Sequence, residues 1–181
     1  MPSTGCTALE IDKLKTQLSK KGKIIMMDLL VEAPPASTFF LDSLSDGHLG
    51  TGIGFVWGLV TDTVNNLGGN KLMIPSDNFA AHSISSTLSQ RIAMMNSTKL
   101  TVEGSASVVV WAETTAIFTT YIPVGEEQVP VIQAPVPIPI VATSSVNGGK
   151  VVAVSCAFTF HGTLMRLAPG DNDLFRAIVE W

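Results

Sequence analysis

Three histidines, His48, His82 and His161, are the side chains in this sequence best suited to acid–base or metal chemistry. A neutral imidazole titrates at about pH 6.5 and offers a lone pair to a proton or a metal ion. The histidines show no His-x-His or His-x₃-His spacing and the two cysteines form no Cys-x-x-Cys pair, so the sequence predicts no metal site. A hydrolase that assembles its site from dispersed residues, such as His82, His161 and Asp77, stays open as an alternative.

The glycine-rich stretch at residues 50–54 has some features of a phosphate-binding loop. Its third glycine comes one position early for G-x-G-x-x-G, and no helix-forming segment follows it. The sequence contains no G-x-x-x-x-G-K-[ST] motif and no G-x-S-x-G elbow. The acidic pairs Glu126–Glu127 and Asp171 with Asp173 stand in Pro- and Gly-rich segments, where we predict solvated loop charges. We therefore predict a protein that is not an enzyme, with no catalytic residues and no cofactor.

The chain is poor in charge for its length. Charged residues make up 14 % of its 181 positions, against about 25 % in ordinary soluble domains. Such a surface leaves apolar area that a partner or self-assembly must cover, so we predict that the chain binds copies of itself. Its first residues lack the apolar core of a signal peptide, and prolines interrupt its longest uncharged stretch. We predict no membrane association.

The elements that must position these residues are mostly strands. The capping-box spacing of Thr7 and Glu10 predicts a helix that begins there. Apolar and alternating runs, broken by Gly and Pro turns, then predict strands from residue 23 onward, with the longest at 150–167 and a last strand or interface peg at 174–181. The fold class predicted is all-β, an antiparallel β-sandwich with a short N-terminal helix. We divide it into an N-terminal helical arm, residues 1–23, and a β-sandwich domain, residues 24–181.

A Pro-Val-Pro-Ile-Pro-Ile run at residues 135–140 forces extended backbone that cannot donate hydrogen bonds at alternate positions. Such a segment belongs at a sheet edge or in an arm between subunits. We therefore place a subunit interface within residues 128–141 and at the apolar tail. The interface candidates are Pro135, Pro137, Ile138, Pro139, Ile140, Phe175 and Trp181.

Two stretches resemble a known family. Residues 97–111 (STKLTVEGSASVVVW) form an alternating strand pair, and AIFTTYIPVG at 116–125 follows after a polar break. This arrangement resembles the jelly-roll coat proteins of small icosahedral RNA viruses, including the tymovirus and picorna-like plant-virus groups. The stretch FTFHGTL at 158–164 is similar to the final strand of those proteins. The sequence departs from the family in its short interval between Pro123 and Lys150 and in its lack of a strongly basic arm.

The resemblance implies a jelly-roll capsid subunit that assembles, alone or with other coat chains, into an icosahedral shell around an RNA genome. It places the protein in the virion, assembled in the host cytoplasm. The net charge is −4 overall but +3 over residues 1–23, so we expect weak, non-specific RNA contact. The RNA-facing candidates are Lys13, Lys20, Lys21 and Lys23.

Two other functional hypotheses compete with the capsid-subunit hypothesis. One is the hydrolase described above, which requires a deep pocket with perturbed titrating groups. The other is a non-viral β-sandwich that binds a ligand on a hydroxyl-rich face.

Overall fold

The computed structural model describes residues 7–27, 49–124, 127–133, 136–156 and 158–181. The helices and strands of these residues occur in the following order: α1 Ala8–Ser19, β1 Lys23–Met27, β2 Ile53–Val56, β3 Leu59–Thr61, β4 Lys71–Ile74, β5 Ile92–Met95, β6 Lys99–Val102, β7 Ser107–Trp111, β8 Ile117–Val124, β9 Glu127–Gln133, β10 Pro139–Val146, β11 Gly149–Val154, α2 Gly162–Leu167 and α3 Gly170–Glu180. Short 3-10 helices span Ser76–Asn78 and Ser85–Thr87. The fold is β-rich with a few helices.

The helix α1 begins where its capping residues predict. The Thr7 hydroxyl accepts a hydrogen bond from the Glu10 N–H at 3.3 Å, and the Thr7 N–H donates to Glu10 Oε2 at 2.8 Å. These reciprocal bonds occupy donors that a helix otherwise leaves unpaired. The hydrogen bonds that the Thr7 N–H and hydroxyl donate to the carboxylate hold the pKa of Glu10 below its usual value. At the other end, Lys21 has a φ of 61°. This left-handed residue turns the chain from α1 into β1.

A four-stranded sheet in the order β1-β11-β10-β7 forms the centre of the molecule. The strand β10 runs antiparallel to both β11 and β7. Asn147 and Gly148 join β10 to β11 with φ values of 52° and 84°, which are the positive angles that a two-residue hairpin turn requires. The strand β1, however, pairs in parallel with β11, with Lys23 opposite Lys150 and Met27 opposite Val154.

The parallel pair corrects the predicted antiparallel sandwich. Parallel neighbours need a long crossover connection, and the partner of β1 stands more than a hundred residues away in the sequence, so no local pattern reveals it. The remaining strands form three smaller groups, β2-β6, β3-β8-β9 and β4-β5. The β-rich class is confirmed, and the finer jelly-roll arrangement is not.

Both faces of the central sheet are buried. On one face, Val152 and Val154 of β11 belong to the larger apolar cluster, which also contains Leu174 and Ile178 of α3. On the other face, alternate residues of the same strands belong to a second cluster, which contains Ile11 and Leu18 of α1. Because side chains of a strand alternate between faces, β10 and β11 supply aliphatic groups to both layers.

The chain after β11 differs from its prediction. The strand expected at 150–167 ends at Val154, and the helix α2 follows, with the His161 side chain accepting from the Thr163 N–H at 3.4 Å. The segment predicted as a last strand is the helix α3. Its buried residues Leu174, Ala177 and Ile178 stand three and four positions apart, which is the spacing of a helix face and not of a strand.

The helix α1 packs closely on the central sheet. Leu18 is fully buried, and a Cβ added at Gly149 would lie 2.5 Å from the Leu18 carbonyl oxygen. Only glycine at the start of β11 permits this approach. The division of the chain at residue 23 into an arm and a domain stays a prediction, although the contacts of Leu18 cross that boundary.

Candidate functional site

The strands β8 and β9 form a ribbon whose far half leaves the core. Phe118 pairs with Gln133 at its base, Ile122 pairs with Val129 further out, and Val124 pairs with Glu127 near its tip. Directly opposed residues of an antiparallel pair share a face, and alternate residues along a strand share it too. Ile122, Val124, Val129 and Val131 therefore lie on one face, which we call the aliphatic face.

The aliphatic face is exposed to solvent. Its four β-branched side chains keep between 37 % and 57 % of their surface accessible. Within the described residues, β9 pairs only with β8, so the outer edge of β9 is open as well. Single exposed aliphatic residues are ordinary on protein surfaces, but a contiguous group is typical of an interaction site.

The base of the ribbon is held firmly. The Phe118 side chain is buried in the larger cluster, and Lys99 lies 5.7 Å from the centre of its ring. The Lys99 ammonium also donates to Gln133 Oε1 at 3.2 Å. On β8, the Thr120 hydroxyl donates to the Trp57 carbonyl oxygen at 2.8 Å. These bonds orient the ribbon, so that its outer half presents the aliphatic face in a fixed direction.

A group of basic side chains lies at the carboxyl end of α3. The Lys23 ammonium donates to the carbonyl oxygens of Ile178 at 2.8 Å and Val179 at 2.5 Å. The Lys150 ammonium donates to the Trp181 carbonyl oxygen and lies 4.4 Å from the centre of the Trp181 ring. Cations favour the carbonyl end of a helix. Burial, followed by repulsion from Lys150, lowers the pKa of Lys23.

His82 lies beside these basic side chains, and its hydrogen bonds fix the tautomer of its ring. Its Nδ1 accepts from the Ile84 N–H at 3.1 Å, so its Nε2 carries the proton and donates to the Thr143 hydroxyl at 3.1 Å. Burial, and secondarily Lys150, lowers the pKa of His82. The ring of His82 contacts Ile84, Thr143 and Trp181, and neither Asp77 nor His161. Among the described residues, no direct contact therefore joins His82 to the other residues named for a dispersed hydrolase site.

A buried carboxyl group lies at the start of α3. Asp171 has no exposed surface, and its Oδ1 accepts from the Ala93 N–H of β5 at 2.8 Å. Burial raises the pKa of Asp171 to about 7. The prediction of a solvated loop charge is wrong for this residue, because Pro169 precedes a helix that begins at Gly170 and packs its first turn on β5. The apolar spacing of Leu174 and Ile178 is the sequence signal that indicates this helix.

The structure divides the predicted interface residues. Ile138, Pro139 and Ile140 are buried within this chain, so in this fold their side chains are not available to a partner. Pro137 is exposed, and Pro135 lies outside the described residues. Two more candidates lie at the tail: Phe175 is exposed beside Phe160 at a ring distance of 5.1 Å, and Trp181 is half-buried. An interface role for the exposed members stays a prediction.

The predicted RNA-facing lysines also differ among themselves. Lys13, Lys20 and Lys21 are exposed on or beside α1. Lys23 is half-buried and bound to the carbonyl oxygens of α3. This engagement makes Lys23 a poor candidate for phosphate contact, while RNA contact by the other three stays a prediction.

The described residues offer neither a metal site nor a membrane-spanning helix. They contain no group of three or more His, Cys, Asp or Glu side chains that could hold a metal ion. No helix among them is both long and apolar enough to cross a membrane.

Comparison with known proteins gives the fold but no family. No protein-family model and no curated protein matches the sequence. Among solved structures, the chain is similar to the N-terminal domain of mmIFT52, with a TM-score of 0.71 and 18 % identity over 98 % of this chain and 72 % of that one. A cytoplasmic protein from Salmonella typhimurium has a TM-score of 0.50 and 12 % identity over 94 % of this chain and 58 % of its own. A ThuA-like protein from Bacteroides uniformis has a TM-score of 0.51 and 14 % identity over 97 % and 66 %.

These findings overturn the coat-protein resemblance. The similar structures are cellular proteins and none is a viral coat protein. The predictions of a capsid subunit, an RNA-containing shell and a virion location are therefore wrong. The physical reason lies in the quoted stretches: residues 158–164, compared with a final coat-protein strand, are a turn followed by the start of α2. Alternating apolar strands with Pro and Gly turns occur in many β-rich folds.

Proposed function

We propose that this chain is a non-catalytic protein-interaction domain, comparable in role to the N-terminal domain of IFT52, and that the aliphatic face of β8 and β9 is its docking surface. The observation that carries this proposal is the exposure of Ile122, Val124, Val129 and Val131 on one face of an anchored ribbon. Fully burying a free side chain of this kind gains about 1.5 to 3 kcal/mol, so covering the 37–57 % of each that is still accessible gains about 1 kcal/mol. A protein partner that covers all four side chains gains enough free energy to offset the entropy lost when the side chains of a small interface become ordered.

The fold similarity covers almost the entire chain. The similarity to the N-terminal domain of mmIFT52 extends over 98 % of this chain. A fold alone does not specify function, so the ribbon, and not the similarity, is the feature to be tested.

The partner proposed is a different protein chain with an apolar surface. A second copy of this chain is less suitable, because each copy has a net charge of −4 and carries Glu127 on the same ribbon face. Like charges brought together across an interface oppose association. Light scattering coupled to size-exclusion chromatography should therefore find a monomer, and a dimer abolished by Val129→Asp would replace this partner with a second copy.

The test of the proposed role uses a chimera. This chain replaces the N-terminal domain of IFT52, and the chimera is compared with intact IFT52 and with IFT52 lacking that domain. Proteins that co-precipitate with intact IFT52 and are lost from the truncated form define the partners of the domain. We expect the chimera to recover them. Recovery of none, as with the truncated form, would refute a role comparable to that of the IFT52 domain.

A further inference from the structure

The carboxyl group of Asp171 is enclosed where α3 meets β5. One oxygen, Oδ1, accepts from the Ala93 N–H at 2.8 Å, and the other, Oδ2, is buried with no hydrogen-bond partner. A Cβ added at Gly170 would lie 2.4 Å from the Arg91 carbonyl oxygen. The backbone of the helix start therefore touches the backbone beside β5. The carboxyl group has little room to turn toward solvent.

Within the described residues, the Ala93 N–H lies on an edge of β5 that pairs with no other strand. The other edge of β5 pairs with β4, so the amides of Ala93 and Met95 point away from the sheet. Asp171 Oδ1 accepts a hydrogen bond from the Ala93 N–H, and Cys156 Sγ accepts one from the Met95 N–H at 3.3 Å. Side chains thus replace a neighbouring strand at this edge, and Asp171 is the member of this pair that joins the edge to a helix.

Among the described residues, no cation compensates a negative charge at this position. Arg91 is exposed beside β5, and no charged residue occurs in the 3-10 helix Ser85–Thr87. The other charged groups on the packed elements are Arg166 in α2 and Asp173, Arg176 and Glu180 in α3. None contributes to the pKa of Asp171: burial raises it to about 7 and the Ala93 N–H opposes this shift.

Two effects compete at the start of α3. A helix N-terminus favours a carboxylate, but this preference is modest and falls off within the first turn. Burial of an unpaired charge is more costly and favours the neutral acid. Because the carboxyl group is fully buried and Oδ2 has no partner, burial dominates here and raises the pKa of Asp171 to about 7.

We propose that Asp171 is a proton-controlled latch between α3 and β5. The neutral acid seats the first turn of α3 against the open edge of β5. Ionisation leaves an uncompensated charge in that junction, and the first turn then opens more often to admit water. The rest of α3 stays in place, because Leu174 and Ile178 remain buried in the larger cluster.

Hydrogen exchange of the Ala93 amide measures the opening directly, since that amide donates to Asp171. Its protection factor, corrected for intrinsic exchange, is compared at pH 5.5 and pH 8.5. We expect wild-type protection to fall at least tenfold at the higher pH. Asp171→Asn, which cannot ionise, should show no such fall, whereas Asp173→Asn should behave like the wild type. Unchanged wild-type protection, or a fall that persists in Asp171→Asn, would overturn the proposal.

A second measurement covers the case in which Asp171→Asn does not fold. The carboxyl carbon of Asp171 is followed by NMR in the wild-type chain from pH 4 to pH 9. Titration near pH 7, together with broadening or shifts of the Ala93 amide at the same midpoint, supports the latch. Titration in the ordinary range for an aspartate, or a midpoint not shared by Ala93, refutes it.

Discussion

Strands β9 and β10 have similar compositions and opposite surroundings. Both are rich in β-branched residues and contain proline, yet β10 is buried at seven of its eight positions and β9 is exposed at six of seven. The difference lies in their neighbours. The strand β10 has a partner on each side and an apolar cluster on each face, whereas β9 in the described chain has β8 alone.

This difference shows that hydrophobic sequence and burial are separate properties. The propensity of Val and Ile for strands expresses how they fit a pleated, half-buried surface, and tertiary contacts decide whether that surface is covered. In β10 the chain supplies its own cover. On the aliphatic face the described residues supply no such cover, which is why we assign docking to that face and folding to β10.

Substitutions at a matched pair of isoleucines test this comparison with the largest expected effect. Ile138 adjoins β10 and has no exposed surface, whereas Ile132 in β9 is 66 % exposed. Ile138→Asp buries an unpaired charge and should cost more than about 4 kcal/mol of unfolding free energy, a large part of the stability of a typical domain. Ile132→Asp should cost less than about 1 kcal/mol. Urea unfolding followed by circular dichroism measures both, and equal losses would show that the two surroundings are not distinct.

The helix α1 offers a second pair. Leu18 is fully buried against the central sheet and Leu9 is exposed on the same helix. Leu18→Ala should lower the unfolding free energy by about 2 to 5 kcal/mol, through lost burial and the cavity left behind. Leu9→Ala should change it by less than about 0.5 kcal/mol. Small effects from both would place the helix outside the folded unit, as the predicted division at residue 23 requires.

Asp171 gives a pH-dependent effect. Its folded pKa of about 7 exceeds the ordinary 3.8, so between these values the folded chain holds a proton that the unfolded chain has lost. Stability therefore falls as pH rises through this window and levels off above it. At about 1.4 kcal/mol per pH unit, the limit is about 4 kcal/mol.

The check is urea unfolding at pH 4.5, 6 and 8. Asp171→Asn should remove this slope, leaving a smaller dependence from other groups such as Asp62, whose pKa is lowered by its hydrogen bonds against the effect of burial. Asp173→Asn is the control and should keep the slope. Parallel slopes in wild type and Asp171→Asn would exclude Asp171 as its source.

Local chemistry predicted some of the elements well. The capping box at Thr7 and the Asn147–Gly148 turn were predictable because each depends on residues a few positions apart. The parallel pairing of β1 with β11 was not, since it depends on distant chain segments. The helix α3 was predictable from the spacing of Leu174 and Ile178, but its apolar run was interpreted as a strand.

The candidate site was predictable only in part. The predicted interface at 128–141 includes β9, which is exposed, and the first residues of β10, which are buried. Sequence alone does not separate them, because both stretches combine proline with β-branched residues. The role of Asp171 was hidden for another reason: its burial depends on how α3 packs against β5.

Substitutions on the aliphatic face should barely affect folding. Val129→Asp with Val131→Asp replaces two partly exposed side chains and should change the unfolding free energy by less than about 1 kcal/mol. The control is Gln128→Asp with Ile132→Asp. These two residues lie on the opposite face of the same strand, and their substitutions add the same charge. Thermal and urea unfolding compare the two. A much larger loss for the first pair would mean that the aliphatic face belongs to the core.

The most direct test of the docking surface combines these variants with the chimera. Each double substitution is placed in the chimera of this chain with IFT52, and the amount of the domain's partners that co-precipitates is measured. We predict that the Val129 and Val131 substitutions reduce recovery at least tenfold, while the Gln128 and Ile132 substitutions leave it within about twofold. A tenfold change in affinity corresponds to about 1.4 kcal/mol, and burying one unpaired charge in the interface costs more than that. Equal recovery with both pairs would contradict the assignment of docking to the aliphatic face.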